Sequence, residues 1–236
     1  MNKHQPTLCY LCEKPLTGDC SRDHIPPSQM FDSNNLPSNL YTLPTHADCN
    51  GRLSEDEEYF KIIMLVQAPE GQGDALNVWH GPVLRQFNRT RSSGFTQMIS
   101  EGVFQVSPSM PNFSNEGAFI GDSVSLRYDA RRIKNVFEKI VRGLYWKHIG
   151  ALIGPIVLAL RSLDRQDGAP TELMKPFIGS QLFDCGNSVL EYLFWIPDNN
   201  SGRTMWAFSF YEGPVHIVCT SHPEIPEMDP KKHDQL

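Results

Sequence analysis

Two cysteine-containing pairs with the same spacing constrain this chain more than any other feature. Cys9-x-x-Cys12 lies near the start, and His46-x-x-Cys49 repeats its spacing. The stretch around them, residues 1–53, is rich in Cys, His, Pro and Asn and poor in continuous apolar runs. Such a segment cannot hold together by burial alone, so it needs a staple. Each pair fits on one tight turn, and thiolates with an imidazole arranged in a tetrahedron are a zinc set. Cys9, Cys12, His46 and Cys49 are therefore the expected zinc ligands. Cys20 is an alternative to His46, which is preferred because its spacing to Cys49 repeats that of the first pair. Four protein ligands leave no open position for a substrate, so this zinc is structural, and its binding energy becomes folding energy.

The rest of the composition sets limits. With 236 residues, 40% of them apolar, the chain can build one domain with a sizeable core or two small ones. Clustered cysteines in a chain of this size favour metal over disulfides. The most apolar run, residues 149–160, is too short to span a membrane and is broken by Pro155. No signal peptide is visible. These features predict a cytoplasmic protein. A net charge of −6 does not announce a nucleic-acid binder, although local patches matter more than the sum.

Patterning predicts an α+β fold. Ser54 with Glu57 fits a capping box, opening a helix that carries Tyr59, Phe60, Ile62, Ile63 and Val66 to about Gln67. Residues 76–102 read as weakly helical and 103–128 as short strands and loops. The strongest helix spans 129–153, with Ile133, Val136, Phe137, Ile140, Val141, Leu144 and Tyr145 at helical spacing. Its other face carries Arg131, Arg132, Lys134, Lys139, Arg142 and Lys147. The last third reads as antiparallel strands, "SVLEYLFWIP" and "RTMWAFSFYE" around "DNNSG", then "VHIVCT". The implied organisation is a zinc-stapled module over 1–70, an α+β region over 71–225 and a disordered tail over 226–236.

Between the two pairs lie Asp23, His24 and Asn39, and Asn50 follows the last cysteine. The order C-x-x-C, DHIPP, NL, H-x-x-CN resembles the HNH endonucleases, over about residues 7–65. The resemblance implies a ββα-metal module in which Asp23 and His24 close the first strand of a hairpin. It implies that His24 is the general base activating a water, that Asp23 and Asn50 hold a catalytic divalent ion, and that Asn39 braces the hairpin. Many members have His at the position of Asn50. An amide oxygen there suits a hard ion such as Mg²⁺ or Mn²⁺. These residue types also suit phosphodiester hydrolysis on their own: an imidazole near its working pKa takes the proton, and a divalent ion stabilises the developing charge. His4, His80, His148 and His216 have no comparable setting and read as surface or structural residues.

The expected activity is metal-dependent hydrolysis of DNA, with RNA a further substrate class and a role in bacterial defence or restriction following family habit. The rival readings are a zinc-dependent nucleic-acid-binding module that does not cut, and an RNase or toxin on the same module. Candidate phosphate contacts are Arg52, Arg85, Arg89, Arg91, Arg131, Arg132, Lys134, Lys139 and Arg142. Cutting two strands implies a homodimer, and the region after the module implies control by a partner. The aromatics of residues 192–211 read either as a base-stacking platform or as a core. Alternation along the second strand favours the core.

Overall fold

The computed structural model describes residues 7–32, 36–38, 40–69, 110–113, 119–123, 128–163, 171–186, 188–197 and 203–222. Residues 71–109, with the expected 76–102 helix, and the 226–236 tail lie outside the described residues. The chain divides into two compact units, one built from residues 1–78 with 131–236 and the other from 79–130. Within the second unit the described part is an antiparallel pair, β3 (Met110–Phe113) and β4 (Phe119–Ser123).

The first unit is mixed α and β. A hairpin of β1 (Cys20–Ile25) and β2 (Tyr41–His46) leads into a short helix α1 (Ala47–Gly51) and then α2 (Ser54–Val66). β1 stops where Pro26 and Pro27 follow, since proline has no N–H for the ladder. The expected capping box does not form. Leu53 is the N-cap of α2 and is itself helical, with φ −94° and ψ −8°. One helix therefore runs almost directly into the next, with no extended residue between them to cap. The Ser54 hydroxyl instead donates to the Gly51 carbonyl at 2.8 Å, and the Glu57 side chain turns inward.

The long helix α3 spans Ala130–Ile149 and buries all seven residues of the expected stripe. It ends four residues before the expected 153, because Gly150 takes the left-handed conformation (φ +77°) and its N–H bonds back to the Trp146 carbonyl. The apolar run that follows becomes a strand, β5 (Val157–Leu163). After a short helix α4 (Thr171–Met174), four more strands complete one sheet: β6 (Phe183–Cys185), β7 (Leu190–Trp195), β8 (Thr204–Phe210) and β9 (Val215–Ser221). Its order is β5-β9-β8-β7-β6, and every pairing is antiparallel.

One face of this sheet is the core. Register puts Tyr192 opposite Phe208 and Phe194 opposite Trp206, so these rings share a face. α2 and α3 cover them. Phe60 meets Phe137 and Phe210 edge-on at 5.1 Å, and Phe137 lies 5.7 Å from Phe208. His148 packs on Phe194 at 4.3 Å and hydrogen-bonds the Tyr192 hydroxyl. Apart from the exposed Trp195, these aromatics are therefore a packed interior rather than a stacking platform.

The same helix carries the hairpin. A Cβ on Gly143 would fall inside the Ile25 side chain, which is fully buried. Glycine at that point in α3 lets β1 lie against the helix backbone.

Candidate functional site

The candidate metal centre is assembled by three local structures. Residues 7–16 form a knuckle closed by the Leu8–Pro15 bridge, with the Cys9 N–H on the Lys14 carbonyl at 2.8 Å and the Glu13 N–H on the Cys9 carbonyl at 2.7 Å. His46 is the last residue of β2 and the N-cap of α1, and Cys49 lies within α1. The donor atoms of Cys9, Cys12, His46 and Cys49 all lie within 4.8 Å of one another. From His46 Nδ1 the distances are 3.4 Å to Cys12 Sγ and 3.8 Å to Cys49 Sγ. A zinc tetrahedron with Zn–S of about 2.3 Å and Zn–N of about 2.0 Å has an S–N edge of roughly 3.5 Å. These four side chains can therefore hold a metal ion such as zinc. Cys20 is exposed and stands outside the cluster.

The surrounding groups prepare the ligands. His46 Nε2 lies 3.0 Å from the Pro15 carbonyl. That nitrogen must carry the proton, which leaves Nδ1 free to face the thiols. Burial alone would raise the Cys9 pKa, but the Thr45 hydroxyl at 2.9 Å and the backbone N–H groups of Cys12, His46 and Leu11 outweigh it and bring it down to about 6. Cys49 is shifted the other way, chiefly by burial, and Arg52 Nη2 offsets part of this from 3.5 Å. A bound cation would favour the thiolate at both.

The hairpin then presents two different faces. Residues along a strand alternate, and β1 buries Asp23 and Ile25 while Cys20 and Arg22 are exposed and His24 is half-buried. Asp23 and His24 are thus neighbours in sequence that face opposite sides. Asn50 joins the Asp23 side, where its amide donates to the Ser21 hydroxyl at 3.3 Å.

Asp23 is only 3% exposed, and both of its oxygens are taken. The Tyr10 hydroxyl donates to Oδ2 at 2.6 Å and the Lys139 ammonium to Oδ1 at 2.5 Å. Lys139 also pairs with Glu57, which in turn accepts from Gln29 at 3.1 Å. Burial raises the Glu57 pKa and is opposed by Lys139. Burial, reinforced by Asp23, keeps the Tyr10 phenol well above its ordinary value. This buried cluster ties the knuckle, β1, α2 and α3 together.

Sequence reading does not anticipate the cluster. Lys139 is expected on the solvated face of α3 and is instead 1% exposed, so it is not available to a phosphate. The missed signal is its spacing: it lies three residues after Val136 and four before Gly143, at the edge of the apolar stripe. Two other candidate phosphate contacts are committed within the fold. Arg132 pairs with Asp56 at 2.8 Å and stacks over Tyr59, and Arg142 pairs with Glu13 and Glu138. Arg131, Lys134 and Arg52 are exposed. Asn39, Arg85, Arg89 and Arg91 lie outside the described residues. Compared with family models, curated proteins and solved structures, the chain matches none.

Proposed function

We propose that residues 7–66 are a zinc-stapled HNH-type endonuclease module that hydrolyses phosphodiester bonds of DNA, with His24 as the general base. The observation that carries this reading is the Cys3His cluster, which joins the knuckle before β1 to the residues that end β2 and begin α1. A hairpin pinned in this way can hold His24 in a fixed position on its more exposed face. In the reaction, His24 takes a proton from water as the water oxygen bonds to phosphorus. The bond from phosphorus to the leaving oxygen breaks, and that oxygen is reprotonated. The bound zinc supplies folding energy and takes no part in these steps.

The HNH resemblance also implies Mg²⁺ or Mn²⁺ on Asp23 and Asn50. Asp23 does not fit that role as it stands, because a divalent ion there would face the Lys139 ammonium across a shared carboxylate. The same observation favours a second reading, a zinc-dependent nucleic-acid-binding module that does not cut.

Zinc-loaded protein incubated with plasmid, single-stranded DNA and RNA, with and without Mg²⁺ or Mn²⁺, separates the two. Cleavage that falls by about 100-fold or more in His24→Ala supports the nuclease. Binding without cleavage of any substrate supports the second reading. Equal cleavage by His24→Ala removes His24 from the mechanism.

A further inference from the structure

We propose that Arg22 is the residue that grips the scissile phosphate beside His24. The inference rests on the nuclease reading and adds a substrate-binding group to its site. Arg22 lies two residues before His24 and so shares its face of β1. Across the hairpin, Thr42 is directly opposite His24, and Pro44 is opposite Arg22. Directly opposed side chains have their Cβ atoms about 5 Å apart. Arg22 reaches diagonally to Thr42, with Nε at 3.1 Å and Nη2 at 2.6 Å from the same hydroxyl oxygen. The guanidinium is thereby swung along the strand to the residue that faces His24. One phosphodiester group can touch both.

Three properties suit this guanidinium to the task. It is exposed, so a polymer can reach it. Its partner is a neutral hydroxyl and no carboxylate partner occurs among the described residues, so its full charge remains for an anion. Arg132 and Arg142 differ, each being paired to carboxylates. Lastly, the fork is oriented before substrate arrives, because both bonds to Thr42 use one side of it and leave the Nη1 side open. A planar donor held in place is what phosphate recognition and charge stabilisation in a hydrolytic transition state require.

The test separates binding from chemistry. A short fluorescent DNA duplex is titrated with zinc-loaded His24→Ala protein at several salt concentrations, with and without Arg22→Ala added. Arg22→Ala should weaken binding and lower the slope of log affinity against log salt by about one unit. In the His24 background, single-turnover cleavage should fall by about 100-fold in Arg22→Ala and by less in Arg22→Lys. Thr42→Val should also slow it, because the fork loses its anchor while its charge stays. All variants should keep wild-type zinc content and melting temperature. Unchanged affinity, salt slope and cleavage in Arg22→Ala would overturn the proposal. If the wild type cuts nothing, the nuclease reading fails by itself, and the binding titration still decides whether Arg22 holds phosphate.

Discussion

Lys139 places one positive charge between two carboxylates in the interior. Its partners Asp23 and Glu57 are themselves buried, and neither can regain water if the ammonium is removed. Breaking a buried pair from one side costs about 3–5 kcal/mol, since it strands the remaining charge. Lys139→Met should lose stability of that order in urea unfolding, and adding Glu57→Gln should recover part of it. Independent losses that simply add would show that the three groups do not act together. His216 is a second buried group with a measurable signature. Burial pushes its pKa down from 6.5 to about 4, and it sits 2.8 Å from the Ser162 hydroxyl. Above 6.5 neither folded nor unfolded chain binds this proton. Between 6.5 and 4 only the unfolded chain takes it up, so stability falls as pH falls. The wild type should lose up to about 3 kcal/mol more than His216→Gln on going from pH 7 to pH 4. Equal pH dependence in the two proteins would contradict a neutral buried imidazole.

At the level of elements, α3 and the β1–β2 hairpin depend on each other through one glycine. A methyl group on Gly143 would overlap Ile25, and that side chain has no exposed space to move into. Gly143→Ala gains helix propensity of about 1 kcal/mol, yet overpacking of this kind typically costs 1–3 kcal/mol or more. The expected result is a net loss in thermal or urea unfolding, with the zinc still bound. A stabilised variant would mean that strand and helix are not in close contact. The elements also show what sequence patterning conveys and what it omits. The stripe of α3, the β7–β8 hairpin around 196–203 and the strand β9 follow from local periodicity, and all are present. The end of α3 at Ile149, the strand β5 after it and the absent cap at Ser54 do not follow. Each depends on a neighbour or on a backbone angle: a left-handed Gly150, the β9 edge that β5 joins, and a helical Leu53.

For the whole molecule, two kinds of adhesive meet in the unit built from 1–78 and 131–236. The sheet and helices supply an aromatic interior, whereas the segment before α2 is tied in by the buried Lys139 cluster and carries a Cys3His cluster that could hold a metal. No helix among the described residues is long and apolar enough to cross a membrane. The cysteine and histidine spacing made the Cys3His cluster legible, because ligands to one metal must recur at distances a tight turn can bridge. The Lys139 cluster was not legible, because it joins Tyr10, Asp23 and Glu57 to a residue more than 80 positions away. It also buries both oxygens of Asp23, on the strand face opposite His24, which the letters of the sequence cannot reveal. Everything proposed for His24 and Arg22 depends on the hairpin being pinned at its ends. X-ray absorption at the zinc edge of the purified protein tests that directly. The expected result is about one zinc per chain with three sulfur ligands and one nitrogen, lost together with the hairpin in Cys12→Ser. A protein without zinc, or zinc in a shell of nitrogen and oxygen alone, would contradict it.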